Sequence, residues 1–159
     1  MEKAKDFCLQ GIDENANEIT FCLKDYLGKG KDIILYFYPK DDTPGCTTEA
    51  CDFRDNFNLL KDYAIVVGVS PDSIESHKKF KEKYGLNFIL LSDPDKKVMQ
   101  EYGAYGEKTM YGKKTMGVIR STFIIDPEGN IKKAWKNVKA KGHVDQILKF
   151  YGVKKWFTI

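Results

Sequence analysis

Two of the four cysteines lie close together after a strongly apolar segment. Cys46 and Cys51 follow the run 33–38, whose β-branched and aromatic residues are typical of a strand buried on both faces. Apolar residues then recur at helical intervals from Thr47, so Cys46 is expected at the start of a helix. Unpaired N–H groups and the helix dipole stabilise a thiolate at that position. The sequence therefore predicts a nucleophilic cysteine at residue 46.

The spacing of these two cysteines bears on whether they can form a disulfide. In an intact α-helix, five residues place Cys51 about 140° around the axis from Cys46 and about 7.5 Å along it. A disulfide needs Cα atoms within about 7 Å and side chains that face each other, so the helix must unwind before the bond forms. Such a pair is unusual as a structural bridge and reasonable as a transient disulfide in a reaction cycle.

Two separate motifs resemble the peroxiredoxins. Pro39, Thr43 and Cys46 stand in the arrangement Pro-x-x-x-Thr-x-x-Cys. The string Thr-Pro-Gly-Cys-Thr-x-Glu-Ala-Cys resembles the bacterioferritin-comigratory-protein or peroxiredoxin Q subfamily. Residues 117–129 are similar to the arginine-bearing strand of that family. The resemblance covers essentially the whole chain.

The resemblance implies a reaction sequence for the two cysteines. Cys46 would be the peroxidatic cysteine, which attacks the O–O bond of a hydroperoxide and becomes a sulfenic acid. Cys51 would be the resolving cysteine, which condenses with the sulfenic acid to an intramolecular disulfide and limits over-oxidation. A thioredoxin-like dithiol donor would then reset the enzyme. The resemblance thus implies a thiol-dependent peroxidase for hydrogen peroxide and organic hydroperoxides.

Four further side chains belong to the site that the resemblance implies. Thr43 is expected to hydrogen-bond the reacting atoms, Arg120 to supply a permanent cation, and Pro39 to shield the pocket. Glu49 is expected to hold a cation, Arg120, in place. No metal, haem or flavin is expected as a cofactor.

The rest of the chain alternates between strand and helix patterns. A hairpin at 7–12 and 18–23 is predicted first; strands at 33–38, 64–70 and 88–92 then alternate with helices at 47–63, 73–84 and 95–102, and a hairpin at 121–126 and 130–135 precedes a helix at 143–151. This order implies right-handed βαβ crossovers and a mainly parallel centre. The expected fold is α/β and thioredoxin-like, with a central mixed sheet flanked by helices and an N-terminal β-hairpin. One domain is expected over 1–159, with a long loop at 103–117.

Composition and charge exclude several classes of protein. The chain has 159 residues, and 26 Lys and Arg against 23 Asp and Glu leave a net charge of +3, so nucleic acid is not an expected partner. Its apolar runs are much shorter than the ~20 residues that span a bilayer. No export signal is visible, and a cytoplasmic location is expected. A monomer or weak dimer is expected from the subfamily resemblance.

The remaining cysteines and both histidines are expected to have structural or surface roles. Cys8 and Cys22 lie on predicted strands and are expected to be packed core thiols, reduced in the cytosol. If the hairpin places them opposite each other, oxidation in vitro is expected, without a functional role. His77 lies in a lysine-rich helix and His143 at the start of the last helix. Both are expected to be solvated or capping groups.

Two other classes of protein fit parts of the pattern. A non-enzymatic redox sensor would use the Cys46–Cys51 switch to alter a partner surface, and fast peroxide turnover with a reductant distinguishes the enzyme from it. A zinc-binding structural protein would combine these cysteines with Cys8, Cys22 or a histidine. The spacing differs from that of a zinc finger or ribbon, and stoichiometric metal would support this alternative.

Overall fold

The computed structural model describes residues 2–153. The strands are β1 Glu2–Lys3, β2 Cys8–Ile12, β3 Glu18–Cys22, β4 Asp32–Phe37, β5 Ala64–Ser70, β6 Ile89–Ser92, β7 Tyr105–Met110, β8 Lys113–Val118, β9 Ser121–Ile125 and β10 Asn130–Lys136. The helices are α1 Leu23–Tyr26, α2 Pro44–Asp55, α3 Phe57–Leu60, α4 Ile74–Tyr84, α5 Lys97–Glu101 and α6 His143–Phe150. The last six residues of the predicted domain lie outside the described range.

Parallel strands form the centre of the main sheet. The strand order is β1-β10-β9-β4-β5-β6-β2-β3, and β4, β5 and β6 pair in parallel. The β9–β10 hairpin lies antiparallel against β4, and the β2–β3 hairpin lies antiparallel against β6. All six residues of β4 are buried, as expected for a strand with a neighbour on each edge and a packed layer on each face. The predicted mixed sheet with an N-terminal hairpin is confirmed.

Alternating residues of β4 contribute to two apolar cores, one on each face of the sheet. Ile34 and Tyr36 belong to the core that includes Phe53 of α2, whereas Leu35 belongs to the core on the opposite face. The Tyr36 ring stacks on the Phe53 ring with the centroids 4.6 Å apart. Gly68 lies opposite Tyr36 in β5, and a Cβ atom there would approach the Tyr36 ring to 2.9 Å. The small residue in β5 thus leaves room for the ring on which α2 packs.

The segment at 103–117 differs from its prediction as a loop. It contains most of a two-stranded hairpin, in which β7 pairs with β8 from Tyr105↔Val118 to Met110↔Lys113. The first four residues of β8 are exposed, so both of its faces lie in solvent there. A strand without a buried face has no reason to alternate apolar and polar residues, which is the signal that a sequence prediction uses.

The helix predicted at 47–63 is also different in detail. It begins earlier, at Pro44, and is interrupted at Asn56, where the backbone leaves helical geometry with φ −106° and ψ 12°. The Asn56 side-chain amide donates to the Asp52 carbonyl at 2.8 Å and so closes the end of α2.

Among the helices of residues 2–153, none has the length and hydropathy that a membrane span requires.

Candidate active site

Cys46 lies in the first turn of α2, just after the carboxyl end of β4. Pro44 occupies the first helical position, where its fixed φ favours a helix start and its missing N–H costs nothing. The first helical hydrogen bond runs from the Thr47 N–H to the Thr43 carbonyl, at 2.8 Å. The N–H groups of Gly45 and Cys46 precede this bond and are not used by the helix. The position agrees with the prediction of Cys46 at a helix start.

Arg120 reaches Cys46 because of the strand pairing, although 74 positions separate the two residues. Ser121 is the first residue of β9 and pairs with Phe37, the last residue of β4, so Arg120 lies next to the loop that leads into α2. Its Nη2 donates to the Cys46 Sγ at 3.3 Å, and its Nη1 donates to the Glu49 Oε1 at 2.6 Å. The predicted Arg120–Glu49 contact is therefore present, and the cation lies between thiol and carboxylate.

The close approach of Arg120 also explains the glycine before Cys46. A Cβ atom at Gly45 would lie 3.3 Å from the Arg120 Nη2. A side chain at position 45 would therefore press on the guanidinium group and move it. Glycine keeps this contact open while its backbone stays in the helix.

Burial controls the charges around Cys46, which is 2% exposed. Burial raises the pKa of the Glu49 carboxyl to about 7, although Arg120 acts in the opposite direction. The second Glu49 oxygen, Oε2, has no hydrogen-bond partner among the residues that the structure describes. Burial disfavours the Arg120 cation, but Glu49 and Cys46 outweigh it and raise the pKa of the guanidinium group. Arg120 therefore stays charged next to the sulfur.

Replacing Glu49 with glutamine is expected to change how stability depends on pH. The folded-state pKa of about 7 exceeds the ordinary value of 4.5, so the folded state binds more protons between these two pH values. The contribution of Glu49 to the free energy of unfolding therefore falls as pH rises, by on the order of 3 kcal/mol in total. Urea unfolding of the reduced proteins should show the stability of Glu49→Gln, relative to wild type, increasing from pH 4 to pH 8. A constant difference would contradict the raised pKa.

Cys51 has a different environment from Cys46. It is half-buried, and neither cysteine is bonded to another sulfur. Burial raises the pKa of the Cys51 thiol, and the opposing effect of Arg54 does not compensate. Cys51 is therefore held as a neutral thiol, whereas Cys46 has a guanidinium group against its sulfur. Because both residues lie in α2, they can bond only after its first turns unwind.

Thr43 and Pro39 border the site. Thr43 is the N-cap residue of α2, and its hydroxyl donates to the Lys40 carbonyl at 2.9 Å. This bond uses the hydroxyl hydrogen and leaves the oxygen lone pairs available to accept a hydrogen bond. Pro39 is half-buried and follows β4 by two positions. The roles expected of these two residues towards a substrate stay predictions.

A buried polar cluster holds the β4–α2 loop, and we call it the Asp41 clamp. The Asp41 carboxylate accepts from the hydroxyl groups of Tyr38 and Ser76 at 2.6 and 2.8 Å. The Nδ1 of His77 lies 2.7 Å from the same carboxylate. The Nε2 of His77 lies 2.9 Å from the Leu91 carbonyl, which can only accept, so Nε2 carries a hydrogen. The clamp joins the loop to α4 and β6.

The prediction that the two histidines are solvated or capping groups is wrong for both residues. His77 is completely buried, and it lies three residues after Ile74 and three before Phe80, on the face of α4 that packs on the sheet. This helical spacing indicates a buried position for His77, whereas the lysines around it in the sequence are typical of an exposed helix. His143 is also buried, with its Nε2 2.7 Å from the Thr122 hydroxyl.

Removing His77 is expected to destabilise the fold strongly. The His77→Ala variant would empty a fully buried site and remove one hydrogen-bond partner of the Asp41 side chain, which together cost about 3–5 kcal/mol. Thermal unfolding should show the Tm lowered by roughly 10 °C. Lys78→Ala is the matched control, since its ion pair with Glu18 is solvent-exposed and should hardly change the Tm. Equal, small Tm shifts in both variants would contradict a stabilising role of the Asp41 clamp.

Cys8 and Cys22 form a disulfide, so their prediction as free, packed core thiols is wrong. The two residues lie directly opposite each other in the β2–β3 hairpin, with their Cα atoms 4.0 Å apart. Cys8 is exposed and Cys22 half-buried, because the buried positions next to them are taken by Phe7 and Phe21.

Within residues 2–153 no group of three or more His, Cys, Asp or Glu side chains is placed to hold a metal.

Comparison with known proteins identifies close relatives. The AhpC/TSA family model matches residues 1–134. The putative peroxiredoxin Bcp of Helicobacter pylori is 51% identical over 146 residues, covering 91% of this chain and 92% of that protein. Peroxiredoxin Bcp of Bacillus subtilis is 50% identical over 148 residues, covering 92% and 90%. The structure of the bacterioferritin comigratory protein of Xanthomonas campestris has a TM-score of 0.81 at 37% identity, covering 92% and 90%.

Fold and site together define a thiol peroxidase with a thioredoxin-like fold. The chain belongs to the AhpC/TSA family, and its relatives are peroxiredoxins of the Bcp and PrxQ type. It is therefore an oxidoreductase that reduces hydroperoxides with thiols. The predicted family, fold class and activity are confirmed. The oligomeric state, the particular reductant and the cytoplasmic location stay predictions.

Proposed function

We propose that Cys46 is the peroxidatic cysteine and Cys51 the resolving cysteine, with Arg120, Thr43, Pro39 and Glu49 forming the rest of the site. The observation that carries this proposal is the Arg120 guanidinium group, which donates to the Cys46 sulfur at 3.3 Å. A fixed cation beside the sulfur stabilises the negative charge that moves from sulfur to oxygen during the attack on a peroxide. The cation that acts on the half-buried Cys51 thiol, Arg54, does not offset the effect of burial, and this difference from Cys46 supports the assignment of the two roles.

In the first step the Cys46 thiolate attacks the terminal oxygen of a hydroperoxide. The S–O bond forms as the O–O bond breaks, and the departing oxygen takes the electron pair and a proton to leave as water or an alcohol. Arg120 balances the negative charge that moves from sulfur to the departing oxygen. The free N–H groups of Gly45 and Cys46 and the accepting oxygen of Thr43 orient the peroxide. Cys46 becomes a sulfenic acid.

In the second step the sulfenic acid is resolved by Cys51. The first turns of α2 unwind, Cys51 attacks the Cys46 sulfur, and the hydroxide that leaves takes the Cys51 proton to form water. The Asp41 clamp lies upstream of Cys46 and stays attached to α4, so it fixes one end of the moving segment. An external dithiol, of the thioredoxin kind, then reduces the Cys46–Cys51 disulfide and the helix re-forms.

The proposed substrates are hydrogen peroxide and small organic hydroperoxides. The X. campestris relative is described as having alkyl peroxide reduction activity, which supports organic hydroperoxides for this chain. Cys46 is almost fully buried, which favours small hydroperoxides over bulky ones. We further propose that the enzyme works in the cytoplasm as a monomer or weak dimer, as expected from the sequence.

Replacing Arg120 tests the observation on which the proposal depends. Arg120→Gln is expected to slow the oxidation of Cys46 by roughly 10²–10³-fold, since it removes a charge that acts on the transition state. Arg120→Lys should slow the oxidation less, because lysine keeps the positive charge but lacks the planar guanidinium group that contacts Cys46 and Glu49 together. The rate is measured by stopped flow in a single turnover with hydrogen peroxide. Arg54→Gln is the control, since Arg54 lies in α2 with Cys46 but pairs with Asp55, and it should change this rate less than about twofold. An Arg120→Gln rate equal to that of the control would refute the role of Arg120.

A further inference from the structure

The Cys8–Cys22 disulfide lies in a different part of the sheet from Cys46. β2 pairs with β6, and β5 separates β6 from β4, so β2 lies three strand spacings from the strand that leads to Cys46. At about 4.8 Å for each spacing, the lateral distance is about 14 Å. Neither sulfur can therefore resolve a sulfenic acid at Cys46 while the sheet is intact. The disulfide is not a part of the proposed peroxidase cycle.

Backbone pairing along the hairpin, and not the disulfide alone, holds Cys8 and Cys22 opposite each other. The two residues are register partners, and the pairing continues along the strands to Ile12. On the other side of the pair, the Leu23 N–H donates to the Phe7 carbonyl at 3.0 Å. These backbone bonds do not depend on the disulfide. Opening the disulfide therefore leaves two adjacent thiols that can bond again without refolding.

The two sulfurs differ in how easily an external thiol reaches them. Cys8 is exposed and Cys22 is half-buried. Thiol–disulfide exchange requires an incoming thiolate to approach one sulfur of the bond, and access to that sulfur limits the rate. Cys8 is therefore the sulfur that an external thiolate attacks, and Cys22 is the leaving thiol.

We propose that Cys8 and Cys22 form a second thiol–disulfide centre, which exchanges with an external dithiol independently of Cys46. The dithiol attacks the Cys8 sulfur and forms a mixed disulfide, and Cys22 leaves as a thiolate that takes up a proton. The second thiol of the donor then attacks its own mixed-disulfide sulfur and releases Cys8. In the reverse direction, the Cys8 thiolate attacks the disulfide of an oxidised donor, Cys22 attacks the Cys8 sulfur of the mixed disulfide, and the donor leaves as a dithiol that has gained two electrons and two protons.

The test uses the Cys46→Ser/Cys51→Ser variant, whose remaining cysteines are Cys8 and Cys22. The folded protein is equilibrated with reduced or oxidised dithiothreitol, alkylated with iodoacetamide without denaturant, and weighed by intact-protein mass spectrometry. We expect two alkyl groups after reduction, none after oxidation, and full return over repeated cycles. Reduction should also lower the Tm by roughly 5–10 °C, since the bond closes a short loop. Native alkylation of wild type followed by peptide mapping repeats the test in a chain without substitutions.

Two results would overturn the proposal. Alkylation of both cysteines after oxidation would show that the pair does not close, and reduction only in denaturant would make the bond a permanent cross-link. The Cys8→Ser/Cys22→Ser variant is the matched control for the active site. It should consume hydrogen peroxide within about twofold of the wild-type rate, and a larger loss would contradict the independence of the two centres. Because peroxide consumption and Cys8 alkylation are separate readouts, failure of one proposal is distinguishable from failure of the other.

Discussion

Replacing Cys46 with serine should abolish peroxide consumption, with a fall in rate on the order of 10³-fold or more. A serine hydroxyl is not ionised near neutral pH, even beside Arg120, and it cannot form a sulfenic acid. The substitution is nearly isosteric, so the buried contact with Arg120 and the start of α2 should be preserved. The measurement is the consumption of hydrogen peroxide in the presence of dithiothreitol, with circular dichroism to verify folding. Activity that survives in folded Cys46→Ser protein would assign the nucleophile to another thiol.

Replacing Cys51 with serine should separate the two steps of the reaction. The variant is expected to react with one equivalent of hydrogen peroxide at the wild-type rate, because Arg120 still contacts Cys46. Its steady-state turnover with a dithiol donor should fall by roughly tenfold or more, since the sulfenic acid has no partner in α2. Dimedone should label Cys46 in the oxidised variant, and excess peroxide should drive it to the sulfinic acid.

The outcome that contradicts the role of Cys51 is unchanged steady-state turnover. In that case another thiol resolves the sulfenic acid, and peptide mapping of the oxidised variant would identify it. A mixed disulfide between two copies of the chain would indicate a resolving cysteine from a partner molecule. Loss of the first oxidation step as well would indicate that the substitution disturbs Cys46 itself.

Much of the central fold could be predicted because local patterns and tertiary packing agree there. β5 has the predicted bounds, 64–70, since it is buried and apolar along nearly its whole length. α4 begins after Ser73, whose side chain accepts from the Ser76 N–H, and ends at Gly85, which has a positive φ of 62°. Both end residues are signals that act over a few positions and can be read from the sequence.

The contact between Cys46 and Arg120 could not be predicted from local sequence patterns. Nothing local links the two residues, and only the resemblance to a known family placed them in one site. The structure supplies the physical reason, which is the antiparallel register of β9 against β4. A shift of that register by one residue would move Arg120 along the edge of the sheet, away from the start of α2.

The errors of the sequence interpretation arise where the deciding interaction is not local. The Cys8–Cys22 bond depends on hairpin register and on which face of β2 is buried, and apolar neighbours on both sides leave that choice open. The burial of His77 depends on a carboxylate 36 positions away, with which it shares the Asp41 clamp. The β7–β8 hairpin has no buried stripe in β8 that a periodicity could show.

The central claim is that peroxide oxidises Cys46 and that Cys51 then bonds to it. The most direct test mixes the reduced protein with one equivalent of hydrogen peroxide and follows tryptophan fluorescence by stopped flow. The quenched product is then alkylated and mapped by peptide mass spectrometry. The account predicts oxidation far faster than that of a free cysteine and a product with a Cys46–Cys51 disulfide. Slow oxidation, or a product in which Cys46 and Cys51 are both alkylated, would contradict it.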